Sequence, residues 1–276
     1  MSNILSESFP LLMRSVSEIT EVSSIGKSGG SELPVNDESD IDVFVFCNKI
    51  PEIKTRQAAI TKLGNTISKV EYSDFTGRFW GTIDFIYIGN TNICLMYFTE
   101  SYMNDEIESV LNGTRLDKES GIFYPTGRCA TMLSMYVIFD KSGYIAGMKE
   151  RLSVYPNDLS KKTFEHHIKN ANDAESFESA VLKADVLFYH EVAEKAIDHY
   201  LQALFALNKC FFPSRKRSIK FIDSFEIKPP DCAKRLLQLV YFGAKQETLP
   251  QSYAVWSSLY QELCVLGSYC QKHKET

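Results

Sequence analysis

Two things are missing from this chain of 276 residues: closely paired cysteines and a surplus of positive charge. The seven cysteines, at positions 47, 94, 129, 210, 232, 264 and 270, are odd in number and form no C-x-x-C pair, which excludes a zinc ribbon or a dithiol redox motif. They read as reduced thiols, and the expected location is cytoplasmic. Thirty basic residues against 35 acidic ones argue against a surface built to grip long nucleic acid. A small or nucleotide-sized substrate fits better. No apolar run approaches the roughly 20 residues of a membrane span, and the start, with Glu7 and Arg14 around a short apolar patch, lacks the layout of a signal peptide. No membrane partner is expected. Internal repeats and low-complexity stretches are also absent.

What is present divides into two textures. Leu5, Phe9, Leu12, Met13 and Val16 recur at helical spacing over 4–17, with Pro10 expected near the first turn. A strand over 19–25 runs into a turn at 26–31, followed by an apolar strand from Ile41 to Cys47. Ile53, Ile60, Leu63, Ile67 and Val70 predict a second helix beginning near Pro51. Strands over 82–88 and 93–98 flank a hairpin loop at 89–92, and 132–139 reads as one more strand. Beyond Tyr155-Pro156 the periodicity is helical: one long helix over about 177–207, then 232–242 and 253–270. The expected fold class is α+β, a small mixed sheet flanked by helices over 1–156 followed by a helical bundle over 157–276.

The chemistry concentrates in Gly29-Gly30-Ser31 and Asp40-Ile41-Asp42-Val43. Alternation along a strand points Asp40 and Asp42 to one face, where a divalent cation could bridge them. Asp84, the sole charge in its own apolar strand, is expected to come within about 5 Å of the pair if its strand is adjacent. Three such charges would repel by roughly 3 kcal/mol per pair, which bound Mg²⁺ would relieve. Gly29 and Gly30, without Cβ atoms, let backbone N–H groups approach a triphosphate, and Ser28 or Ser31 can add a hydroxyl. Gly26-Lys27-Ser28 imitates the end of a P-loop, but Glu21 occupies the position of its first glycine.

These residues resemble the DNA polymerase beta-type nucleotidyltransferase superfamily, whose signature is Gly-(Gly/Ser), a spacer, then Asp-hydrophobic-(Asp/Glu)-hydrophobic. The resemblance implies that Asp40 and Asp42 hold metal ions and that Asp84 completes the site. In the second half, Phe205-Ala206-Leu207-Asn208, Phe212-Pro213 and Lys216 are similar to a helical domain of unknown function that follows nucleotidyltransferase domains in bacterial proteins, some of them resistance-type enzymes. The basic run 215–220 could contact nucleotide phosphates or an anionic acceptor, and this resemblance singles out Lys216 from it.

The expected activity is Mg²⁺-dependent transfer of a nucleoside monophosphate from an NTP, ATP foremost, to a hydroxyl of a small-molecule acceptor. An antitoxin-like or regulatory protein acting on a protein partner is the alternative. A silent nucleotide sensor is disfavoured by the retention of all three carboxylates. His190, Glu191 and Glu194 are weak candidates for a general base, and His166-His167 reads as a surface pair.

Overall fold

The computed structural model describes residues 2–33, 40–77, 79–119 and 123–272. The chain divides into two compact units, residues 1–108 with 131–154, and residues 109–130 with 155–276. Each has its own hydrophobic core.

The first unit is organised by a six-stranded mixed sheet in the order β3-β4-β5-β2-β1-β6. Its strands are β1 (Val22–Lys27), β2 (Ile41–Cys47), β3 (Lys69–Gly77), β4 (Gly81–Ile88), β5 (Thr91–Thr99) and β6 (Tyr136–Asp140). The central β2 and β5 run parallel, and every other neighbouring pair is antiparallel. On one face Ile41, Val43, Val45 and Cys47 pack with Leu95 and Tyr97 beneath α1 (Ser2–Ser17) and α2 (Ile53–Thr61). Leu12 and Val16 of α1 are fully buried there. On the other face Phe44 stacks on Phe98, with ring centroids 5.8 Å apart, and Phe46 meets Tyr144 at 5.1 Å. Phe98 stacks in turn on Tyr102 of α3 (Glu100–Leu111), while Tyr144 opens α5 (Tyr144–Leu152), which follows α4 (Pro125–Ser134).

The second unit is helical: α6 (Asn157–Asn170), α7 (Ala174–Leu182), α8 (Val186–Leu207), α9 (Ser218–Ser224), α10 (Cys232–Phe242) and α11 (Leu249–Lys272). Its centre is α8, where Tyr189, Tyr200 and Phe205 are buried against partners that include Trp256 and Phe212. Among the described residues, no helix is long and apolar enough to cross a membrane.

The α+β class stands, with several boundaries corrected. α1 runs straight through Pro10, because burial of Leu5, Phe9 and Met13 along one stripe outweighs the lost backbone bond. The second helix stops at Thr61; Gly64, at φ 57°, turns the chain and Val70 enters β3. Met132 and Leu133 belong to α4, and the strand there is only Tyr136–Asp140. The long helix expected over 177–207 is two helices. Ala184 at φ 51° breaks it, and Asp185 caps α8 by accepting from Phe188 N at 3.0 Å. His167, expected at the surface, is fully buried.

Candidate active site

β1 and β2 build the site's floor. Their ladder ends at Lys27 opposite Val43, and one residue further Ser28 N donates to Asp42 O at 3.0 Å. That bond sets the start of the glycine turn beside the second aspartate. Gly29 and Gly30 then adopt φ 79° and 86°. A Cβ at either would meet no atom within 4 Å, so it is the left-handed backbone and not crowding that calls for glycine. Lys27, although buried, straps the turn from behind: its Nζ donates to Ser28 O at 3.2 Å and to Glu32 O at 3.0 Å. Burial holds its pKa below the ordinary lysine range.

Asp40 and Asp42 are exposed, on the sheet face opposite the α1 and α2 layer. Directly opposite Asp42 on β5 stands Cys94. Burial pushes the Cys94 thiol up to about 12, with Asp42 and then Asp40 adding to the shift. The two carboxylates thus place their charge over the same patch. Oxygen donors in a pair suit a hard dication that takes its remaining ligands from water and phosphate, so these residues fit Mg²⁺.

Asp84 does not join them. β5 intervenes between β2 and β4, and the register aligns Asp84 with Leu95 and Val43, whereas Asp42 aligns with Cys94 and Phe85. Residues in register share a face, so Asp84 points to the opposite side of the sheet from Asp42, two strand spacings or about 10 Å away. It is fully buried beneath α2 and ion-paired with Arg56, which is itself only 3% exposed. Arg56 also reaches Ser73 O at 3.4 Å and lies over the Tyr97 ring at 5.4 Å, while its Nε has no acceptor among the described residues. Burial pushes the Asp84 carboxyl up to about 6 against the pull of Arg56. The expectation of a third metal ligand at 84 is therefore corrected: this acid is half of a core ion pair. An isolated charge in an apolar strand signals a buried partner as readily as a ligand.

The remaining candidates lie in the second unit. Lys216 is exposed, its N–H donating to Ser214 Oγ at 3.2 Å. Its neighbour Arg215 is tied down, with Nε 3.4 Å from Asp198 and Nη1 3.4 Å from Glu194. Asp198, which no motif marks, also accepts from Tyr124 Oη at 2.8 Å. Its only signal was an acid placed within an apolar helical stretch. Glu191 pairs with Lys195 at 2.7 Å, and His190 is exposed.

The mixed sheet and its helices are consistent with a nucleotidyltransferase-like fold. Over 95% of this chain and 78% of that one, the structure is similar to a nucleotidyltransferase-like protein from Exiguobacterium sibiricum, with a TM-score of 0.50 and 11% sequence identity. Residues 124–217 match the family described as "Domain of unknown function (DUF4037)". No curated protein matches the chain by sequence.

Proposed function

We propose that the protein is a Mg²⁺-dependent nucleotidyltransferase that moves a nucleoside monophosphate from an NTP, with ATP as the favoured donor, to a hydroxyl of a small molecule. One observation carries this reading: the Ser28 N to Asp42 O bond, which couples a turn of two left-handed glycines to a strand that exposes two acids on one face. Asp40 and Asp42 hold the cation, and Mg²⁺ bound there would neutralise phosphate charge and acidify the acceptor hydroxyl. The turn from Ser28 to Ser31 offers N–H and hydroxyl donors to the triphosphate, and Lys27 keeps it from opening.

A second reading has a specific observation in its favour. The positions beside Asp42, Cys94 on β5 and Ser28 just past the end of β1, carry no third carboxylate. The chain would then bind nucleotide without transferring it, acting as a sensor or as a regulator of a protein partner. Incubation with α-labelled ATP, Mg²⁺ and a panel of hydroxyl acceptors separates the two. Label on a small molecule supports the transferase as stated, and label on protein keeps the transfer but makes a protein the acceptor. Saturable ATP binding without any transfer of label overturns the enzyme and leaves the sensor.

A further inference from the structure

Adjacent residues on a helix diverge by about 100°, so a His-His pair ordinarily faces two different surroundings. In α6 the segment that follows α3 folds over His166 and His167 together. His166 Nε2 stands 2.7 Å from Asp117 Oδ1. His167 is fully buried, with Nε2 3.1 Å from Leu116 O and Nδ1 2.9 Å from Nδ1 of His199 on α8. One donor atom from each of Asp117, His166 and His167 lies within 4.8 Å of the other two. All four side chains belong to the same compact unit.

The hydrogen bonds fix the tautomers. A carbonyl can only accept, so His167 carries its proton on Nε2 and presents a lone pair at Nδ1, to which His199 donates. A histidine whose far N–H is anchored on a backbone carbonyl is oriented as metal-binding histidines are.

We infer that Asp117, His166 and His167, joined by His199, bind one first-row transition-metal dication of the zinc class. Imidazole and carboxylate together suit zinc and its neighbours, whereas magnesium prefers oxygen alone. Donors around tetrahedral zinc stand roughly 3.4 Å apart, so the separations among Asp117, His166 and His167, all within 4.8 Å, close by at most about 1.4 Å. That movement falls on the side chains with freedom to make it, Asp117 at 61% exposure and His166 at 35%. His199 moves its proton to Nε2 and His166 moves its proton from Nε2 to Nδ1, so that Nδ1 of His199 and Nε2 of His166 face the metal with no net proton released. The bound ion ties the segment after α3 to α6 and α8. This inference is independent of the nucleotidyl-transfer reading.

The test uses the full chain without a polyhistidine tag, stripped by chelator and titrated with Co²⁺ and Zn²⁺. One equivalent should bind. The Co²⁺ spectrum should show ligand-field bands without the thiolate charge-transfer band that cysteine ligands would produce. Zinc should raise the thermal midpoint, and Asp117→Asn with His166→Gln should weaken binding at least tenfold and abolish the thermal shift. Both substituted side chains are partly exposed, so the variant should keep the wild-type circular dichroism spectrum. Absence of binding at micromolar metal, a thiolate band, or unchanged affinity in the variant overturns the proposal.

Discussion

The two faces of the central sheet treat aspartate in opposite ways. On one face Asp40 and Asp42 stand in solvent beside a glycine turn, and on the other Asp84 is sealed beneath α2 with Arg56. All three acids lie on or beside apolar strands of the same sheet. What separates them is one register position and one intervening strand. Exposed carboxylates at i and i+2 contribute nothing to the core and can be given over to a ligand. A buried carboxylate must be compensated where it sits, and Arg56 does that.

This contrast can be broken most sharply at Asp84. Asp84→Ala leaves Arg56 buried without its partner and should lower unfolding free energy by about 3–5 kcal/mol, read from urea denaturation. If stability is unchanged, the pair is not a core element. The same carboxyl supplies a pH signature. Its folded pKa of about 6 lies above the ordinary 3.8, so ionisation is disfavoured in the folded state. Its contribution is therefore largest below 3.8 and is lost as pH rises to about 6, by at most roughly 3 kcal/mol. Denaturation curves at pH 7 and pH 5 should show wild type gaining relative to Asp84→Asn at the lower pH; a constant difference counts against the raised pKa.

On the exposed face the expected losses are of activity. Asp42→Asn should cut nucleotidyl transfer by about a hundredfold or more with the denaturation midpoint unmoved. Full transfer in that variant refutes the cation assignment. The smallest effect is local: Gly30→Ala forces a side chain into the left-handed region and should cost about 1–2 kcal/mol. Its ATP affinity should fall as well, and unaltered affinity by calorimetry would separate the turn from phosphate binding.

Much of the frame was legible in the residues. Ile41 to Cys47 and Cys232 to Phe242 occupy the elements their periodicity predicts, because each buries a face long enough to dominate local preference. The break between α7 and α8 was harder to see. Apolar spacing continues across Ala184, and the interruption comes from the αL conformation there and the Asp185 cap. The paired acids and the glycine turn were readable for a related reason: their geometry is local, set by the two-residue period of a strand and the φ of glycine. Asp84 was misplaced because a pattern within one strand says nothing of which strand lies beside it.

The chain by itself determined which residues alternate, which turn and which carry charge, since those properties act over a few residues of backbone. Only the tertiary structure decided the company they keep. Strand register sets Cys94 against Asp42, the packing of α2 on the sheet sets Arg56 against Asp84, and helix packing sets Asp117 and His199 around His166 and His167. Such pairings join residues far apart in sequence, and they form when separate elements bury their apolar faces on one another.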